Sequence, residues 1–365
     1  MDDQVRKQMG HLIIRADANT QIGTGHLMRC LSLGQAWKEA GGQVICLTTC
    51  FNEDLEQRMA KERFTVCKVG FSYPDLREWP VTETLLSNFS GGWLVLDGYH
   101  FDPAYQLRVK EKGYQLLIID DMVHLPFYHA DIVLNQNFQA SDLHYPCRPE
   151  TQLLSGPVHA LLRREFLRWR EWKREIPDVA RKIVVTLGGA DPDNVTLKVV
   201  QALKQVSISG LEVSIVVGPA NPHLSRIREE QSSAPFPIRL HHSTETMSDV
   251  MAWADLAIAA AGTTTWELAF MGLPGLLLVI AENQRGAAER LQKEGIFPVL
   301  GLRPNWTNSE LVQIVMSLMN GKRLREEMSR KGRILVDGLG TGRVIQALRA
   351  YRSLRCKENA HSLSG

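Results

Sequence analysis

A histidine between a glycine loop and a helix, His26 in the segment IGTGHLMR, is the residue whose surroundings best suit acid–base chemistry. Apolar residues 12–14 precede this segment and an amphipathic run follows it, so the pattern predicts a strand, a loop and a helix. A histidine at the start of a helix lies among unpaired backbone N–H groups at the positive end of the dipole, which favours a neutral imidazole. Because a neutral imidazole can accept a proton, His26 is a candidate general base. A glycine turn followed by a histidine at the helix N-terminus is an equally weighted alternative.

Polar side chains also follow three other predicted strands, which are residues 93–96, 115–119 and 132–134. Apolar runs that alternate with helical patterns predict a parallel sheet, and the carboxyl ends of its strands meet at one edge. For each acid taken alone, a helix cap or a turn is the alternative role. The polar residues that we expect on the same edge as His26 are Asp97, Tyr99, Asp120, Asp121, Asn135 and Asn137.

The segment AGTTTWE, residues 261–267, has the composition of a phosphate-binding loop. Gly262 permits close backbone approach, the threonines supply hydroxyls and the following helix supplies unpaired N–H groups, so a phosphate can be held without a lysine. Gly189, in a Gly-Gly pair after another predicted strand, is a second candidate for such an approach. Glu267 would be repelled by phosphate, so we expect it to bind a ribose diol; compensation of the helix dipole is the alternative. Neither loop matches GxGxxG or the P-loop, which disfavours NAD and ATP.

Length and composition predict a soluble protein of two domains. A chain of 365 residues exceeds the usual size of one core. We place an α/β domain at residues 11–160, an inter-domain helix or linker at 161–178, a second α/β domain at 179–345, and a helix end with a flexible tail at 346–365. The net charge of +2 is too small to indicate a nucleic-acid partner, and no segment has the pattern of a membrane span or a signal peptide. The six cysteines lack metal-ligand spacing, so we expect reduced thiols and a cytoplasmic protein.

Several of these segments, taken in order, resemble one enzyme family. The family is the UDP-2,4-diacetamido-2,4,6-trideoxy-β-L-altropyranose hydrolase of pseudaminic acid biosynthesis, and the resemblance covers roughly residues 12–345. It rests on the segments IIRADANTQIGTGHLMRCLSL, LVLDGY, LIIDD, IVLNQN, LSGPVHALLRREF, VTLGGADPDN and AGTTTWELAFMGLPGLL. The second half also resembles the UDP-binding half of the glycosyltransferase that makes lipid II.

The resemblance implies two Rossmann-like domains in the glycosyltransferase B arrangement, with a UDP-sugar in the cleft. It implies that water attacks the anomeric carbon with inversion, that His26 is the general base, and that neither a metal nor a cofactor takes part. The residues implied to bind the substrate are Asp17, Gly25, Arg29, Tyr99, Arg163 and Asn283. Those implied to bind UDP are Gly189, Gly262, Thr263, Thr264 and Glu267.

Two other functions fit the same motifs. A glycosyltransferase would use the same UDP-sugar site together with an acceptor site, and we find no strong apolar face of the kind that would hold it on a membrane. A non-catalytic protein that binds nucleotide sugars would leave His26 without a role. We expect a monomer with no stable membrane association.

Overall fold

Two parallel β-sheets flanked by helices form the protein. The structure, a computed structural model, describes residues 9–20, 22–50, 52–89, 92–301 and 306–362, with side chains through residue 351. The first sheet has the strand order β3-β2-β1-β4-β5-β6-β7. Its strands are β1 (His11–Ala16), β2 (Gln43–Thr48), β3 (Thr65–Lys68), β4 (Trp93–Asp97), β5 (Gln115–Ile119), β6 (Ile132–Asn135) and β7 (Gln152–Ser155).

The strand order of the first sheet reverses at β1, which pairs with β2 on one side and β4 on the other. Such a switch point leaves a crevice at the carboxyl ends of the strands, where open sheets bind ligands. The register pairs Ala16 with Asp97 at this end, so the loop after β1 starts beside Asp97.

The second sheet has the strand order β10-β9-β8-β11-β12-β13. Its strands are β8 (Lys182–Thr186), β9 (Glu212–Val217), β10 (Ile238–His242), β11 (Leu256–Ala260), β12 (Gly275–Leu278) and β13 (Val299–Leu300). The predicted fold class, two α/β domains with parallel sheets, is confirmed. We did not predict the edge strands β7 and β13, because β7 is half exposed and β13 has only two residues.

Thirteen α-helices are present among the described residues, and none is long and apolar enough to cross a bilayer. Those of the first half are α1 (Gly25–Glu39), α2 (Glu53–Lys61), α3 (Glu78–Ser87), α4 (Pro103–Glu111) and α5 (Arg164–Leu167). Those of the second half are α6 (Val195–Leu203), α7 (Leu224–Ser232), α8 (Met247–Trp253), α9 (Thr264–Phe270), α10 (Arg285–Lys293), α11 (Asn308–Asn320), α12 (Lys322–Leu335) and α13 (Gly340–Ser362).

Residues 161–178, predicted as an inter-domain helix or linker, form a linker and not a long helix. Only the four residues of α5 are helical, and the chain then runs over the second domain without regular structure. Trp169 and Trp172 pack edge to face with ring centroids 5.1 Å apart, against the second domain's core. The Arg174 guanidinium donates to the carbonyl oxygens of Met251 (2.7 Å) and Met271 (3.2 Å). Residues 163–175 are rich in charged side chains of both signs, a pattern that favours a solvated helix. These contacts outweigh that preference, which is weak against tertiary packing.

The predicted helix end lies within residues 346–365, where α13 continues to Ser362; residues 363–365 of the predicted tail lie outside the described residues. The helix returns to the first domain, where Val344 and Leu348 are fully buried in the same core as Trp93. The Trp93 indole N–H donates to the Leu348 carbonyl oxygen at 3.2 Å. Residues 344 and 345, predicted within the second domain, therefore pack in the first, because their apolar side chains cover α1 and β4.

Candidate active site

A cavity of about 370 Å³ lies between the carboxyl ends of the two sheets, a volume suited to a small-molecule ligand. Its walls come from residues that follow strands in both domains. The predicted site residues that line it are His26, Gly25, Arg29, Tyr99, Arg163, Asn283, Gly189, Gly262, Thr263, Thr264 and Glu267.

His26 is held against a buried carboxylate. Its Nδ1 atom lies 2.6 Å from Asp97 Oδ1, and its side chain is 10% exposed. A carboxylate only accepts hydrogen bonds, so the network assigns a proton to Nδ1; in the neutral ring, Nε2 is then the acceptor. The Tyr99 ring packs edge to face on the imidazole with the centroids 5.1 Å apart, which fixes its plane. This is the base-and-orienter arrangement from which proton transfer can occur.

Arg29 bridges two buried carboxylates behind His26. Its Nε and Nη2 atoms donate to Asp97 at 2.6 and 2.7 Å, and Nη1 donates to both oxygens of Asp121 at 2.9 and 2.8 Å. Burial alone would raise the pKa of Asp97, but the Arg29 charge and the bonds from Arg29 and His26 hold that pKa well below its usual value. Asp97 therefore stays ionised, and Arg29 serves mainly to organise these carboxylates.

Asp121 also fixes two polar side chains at the first domain's edge of the cavity. It accepts from the Tyr99 hydroxyl at 2.7 Å and from Asn137 Nδ2 at 2.9 Å. The Tyr99 oxygen in turn accepts from Asn283 Nδ2 of the second domain at 2.9 Å. The polar residues that follow β4, β5 and β6 thus gather beside His26, as predicted. Asp120 and Asn135 lie behind them in a buried network with Tyr145.

The Gly-Gly loop after β8 contacts the first domain directly. A Cβ atom on Gly189 would lie 2.1 Å from Thr24 Oγ1, so only glycine fits against this threonine of the loop after β1. Gly188 has a positive φ of 85°, and the Asp191 carboxylate accepts from the backbone N–H groups of Val195 and Thr196 at 2.8 and 2.9 Å. The close approach that Gly189 permits is made by the Thr24 side chain of the facing domain.

The AGTTTWE segment forms the start of α9 at the opposite wall. The helix starts at Thr264, and Thr263 and Thr264 line the cavity. Gly25 lies across from them, where an added Cβ would be 3.7 Å from Thr263 Oγ1, an ordinary contact.

Glu267 on the first turn of α9 is paired with Arg163 of the linker. Arg163 Nε and Nη2 donate to the two Glu267 oxygens at 2.7 and 3.0 Å. Glu165 lies 2.8 Å from both Arg163 and Arg58, so alternating charges cross from α2 to α9. Burial raises the pKa of Glu267, and the Arg163 charge only partly opposes that rise.

Asp17 is the predicted site residue that does not line the cavity. It is 2% exposed, and its Oδ1 atom accepts from Arg15 Nη1 at 2.5 Å and from the Thr49 backbone N–H at 2.8 Å. These partners turn the carboxylate towards β2. These contacts hold the start of the loop after β1, and contact of Asp17 with the substrate stays a prediction.

Sequence reasoning placed Asp97, Asp121 and Asn137 on the correct edge but did not name them as site residues. Their positions at strand carboxyl ends were the available signal. The partners that distinguish Asp97 and Asp121 from turn residues, His26 and Arg29, lie more than 60 residues away in the chain, so no local pattern reveals the pairing.

The second domain matches a known domain family. Residues 182–335 match the glycosyltransferase family 28 C-terminal domain. The whole chain has the same fold as MurG of Acinetobacter baumannii, with a TM-score of 0.63 at 18% identity over 93% of this chain and 99% of that one. The predicted glycosyltransferase B arrangement is confirmed.

Two curated relatives extend the similarity across both domains. The spore coat polysaccharide biosynthesis protein SpsG of Bacillus subtilis is 26% identical over 341 residues, which are 93% of this chain and 97% of the relative. The UDP-2,4-diacetamido-2,4,6-trideoxy-β-L-altropyranose hydrolase of Campylobacter jejuni is 24% identical over 289 residues, which are 78% of this chain and 97% of the relative. The predicted resemblance to that hydrolase family is thereby confirmed.

Proposed function

We propose that the protein hydrolyses a UDP-linked 2,4-diacetamido-2,4,6-trideoxy sugar to UDP and the free sugar, with inversion at C1. The observation that carries the proposal is the buried His26–Asp97 pair, 2.6 Å apart, at the wall of the inter-domain cavity. A protein that only binds a ligand has no need of an imidazole oriented by a buried carboxylate. The similarity to the Campylobacter jejuni hydrolase supports the choice of substrate.

In the proposed reaction, water attacks C1 from the face that His26 occupies. His26 Nε2 takes a proton from the water as the oxygen–carbon bond forms, and the bond from C1 to the phosphate oxygen breaks. The electron pair of that bond leaves with UDP. Asp97 faces the imidazolium that forms and holds the ring through Nδ1, as the orienting carboxylate does in other histidine-based sites.

The leaving UDP needs stabilisation of its negative charge. Arg29, Arg58 and Arg163 are the cations among the described residues of the lining, and each is already paired with carboxylates. Neutral donors are therefore assigned to the pyrophosphate, namely the backbone around Gly262 and the hydroxyls of Thr263 and Thr264.

The remaining assignments follow from the same cavity. Glu267 would bind the ribose diol while Arg163 holds its carboxylate in place, and Gly189 would border the pyrophosphate beside Thr24. Gly25 would lie under the phosphate–sugar junction, and Tyr99 and Asn283 would contact the sugar. Arg29 would act through Asp97 and Asp121.

Product analysis by NMR in ¹⁸O-water tests the proposal. The wild type, His26→Ala and the control His144→Ala, which changes an exposed histidine outside the cavity, are each incubated with the UDP-diacetamido sugar and EDTA. We expect UDP and an inverted sugar with ¹⁸O at C1 from the wild type and the control. The His26 variant should be slower by about 10²–10⁴-fold. Equal rates in all three proteins would refute the role of His26.

A glycosyltransferase is the second candidate, and the match of residues 182–335 to a glycosyltransferase domain favours it. UDP release that starts only when an acceptor sugar or lipid is added would establish this activity instead. Binding of the UDP-sugar with no release under either condition would indicate a non-catalytic protein.

A further inference from the structure

Asn137 occupies a position where an asparagine normally caps the next turn, yet it does not do so. It immediately precedes the 3₁₀ turn Phe138–Asp142, and its side chain makes no capping hydrogen bond. The residue is 9% exposed and lines the cavity. A side chain that is not used for capping is available for another partner.

The orientation of the Asn137 amide is fixed by its neighbour. Nδ2 donates to Asp121 Oδ1 at 2.9 Å, and that carboxylate lies against the Arg29 guanidinium, where it can only accept. The reverse orientation would put the amide oxygen against the carboxylate oxygen. The Asn137 Oδ1 atom is therefore presented as a hydrogen-bond acceptor.

Asn283 is fixed in the same sense from the other domain. The Tyr99 hydroxyl donates to Asp121 Oδ2, so its oxygen accepts the Asn283 Nδ2 hydrogen bond at 2.9 Å. The Asn283 oxygen is then a second acceptor. Asp121 thus sets two amide oxygens, one from each domain, at the wall of one cavity.

Two fixed acceptors select a ligand that offers donors. An amide N–H only donates, so it meets such an oxygen without rearrangement, whereas a group with no hydrogen leaves the oxygen unpaired. The lining also includes Ala287, one helical turn beyond Asn283, and Met28, against which a methyl group can pack. An acetamido group combines an N–H donor with a methyl group.

We infer that Asn137 is a specificity-determining residue whose Oδ1 atom accepts the N–H of an acetamido substituent on the bound sugar. The inference rests on the proposed function for the class of substrate, a UDP-linked diacetamido sugar. It adds a residue that selects this sugar, with Asn283 as the second acceptor.

The test uses sugars that differ only in this donor. Binding of the UDP-diacetamido sugar and of two analogues, each with one acetamido group replaced by an azido group, is measured by calorimetry on His26→Ala, which keeps the sugar intact. An azido group has no N–H. We expect one analogue to bind about 10- to 100-fold more weakly than the parent sugar.

Two variants separate selection from support of the fold. Asn137→Leu, made in the His26→Ala background, removes the acceptor and should reduce the preference for the parent sugar to about 3-fold or less. Asn137→Asp keeps acceptor oxygens beside Asp121; it should bind all three sugars more weakly but retain the preference. Asn320→Leu, at an exposed helix end, is the control, and melting curves with UDP binding verify folding.

A preference that survives in Asn137→Leu would overturn the inference, and so would equal weakening of all three sugars by that variant. Hydrolysis is measured separately on the protein with His26 intact. Absence of hydrolysis together with a preference that depends on Asn137 would refute the proposed function and leave the inference standing. Hydrolysis without a preference that depends on Asn137 would support the proposed function and refute the inference.

Discussion

Replacement of Asp97 by asparagine isolates the role of the carboxylate behind His26. The two side chains have nearly the same shape, so the change removes the negative charge without opening a cavity. Both Asp97 oxygens accept from Arg29, and Oδ1 also faces His26 Nδ1. One orientation of the new amide directs an N–H at Nδ1 and favours the imidazole with its proton on Nε2. The other keeps the proton on Nδ1 but leaves the imidazolium without an opposing charge.

The size of the effect follows from the charge pair. At about 4 Å and an effective dielectric constant of 20, two unit charges attract by about 4 kcal/mol, which corresponds to close to 10³-fold in rate. The loss of hydrogen bonds to a charged group, about 1.5–3 kcal/mol each, lies in the same range. We therefore expect kcat for hydrolysis by Asp97→Asn to fall by about 10²–10⁴-fold. Its affinity for UDP should change by less than about 3-fold.

Asp121→Asn is the matched control, because Asp121 also pairs with Arg29 but does not contact His26. Steady-state hydrolysis and UDP binding are measured for both variants, with melting curves to verify folding. We expect Asp121→Asn to affect mainly KM, since it also holds Tyr99 and Asn137. An equal loss of kcat in the two variants would show that Arg29 pairing, and not orientation of His26, is the important feature.

Three further predictions concern the contact between the domains at Gly189, the packing of α13 on the first domain, and the pH dependence of stability. Gly189→Ala should weaken UDP binding by at least about 10-fold, because the new Cβ would lie 2.1 Å from Thr24 Oγ1; Thr24→Gly in the same chain should restore it, and failure to do so would point to a direct phosphate contact. Leu348→Ala, at a fully buried position of α13, should lower the free energy of unfolding in urea by about 2–5 kcal/mol, and a change below about 1 kcal/mol would show that α13 is not part of the first core. Burial lowers the pKa of His124, but the hydrogen bond and charge of Asp120 outweigh it and raise that pKa above 6.5. The stabilisation is therefore complete below about pH 6.5 and is lost as the pH rises through the raised value, so His124→Gln should be destabilising at pH 6 and nearly neutral at pH 9; an equal effect at both pH values would contradict this.

Strand positions were predictable because buried parallel strands have a continuous apolar pattern that the local sequence alone provides. The predicted strand at residues 115–119 matches β5 residue for residue, and the predicted strands at 93–96 and 132–134 stop one residue short of β4 and β6. Residues 163–175 show the limit of that approach. Their charge pattern suits a solvated helix, but Trp169 and Trp172 pack on the second domain, and such tertiary contacts leave no local signal.

The candidate site was predictable to the level of the sheet edge. Strand ends must converge in a parallel sheet, so His26, Tyr99 and Asp121 could be placed together. The pairing of Asp97 with His26 and of Arg163 with Glu267 depends on side-chain directions across long chain separations. Asp17 does not line the cavity for the same reason. A residue at a strand end can turn towards a neighbouring strand as easily as towards the cavity.

The return of α13 to the first domain has a consequence for the order in which the protein is made. The core around Trp93 includes Val344, Ile345 and Leu348, which leave the ribosome after the entire second sheet. Domains generally fold as units during synthesis, but this first domain lacks part of its core until residues 344–348 have been made, after the whole second sheet. The domain that is synthesised first therefore completes its core last. Until α13 covers them, the apolar surfaces of α1 and β4 are exposed, and a chaperone or a misfolded contact would act there during synthesis.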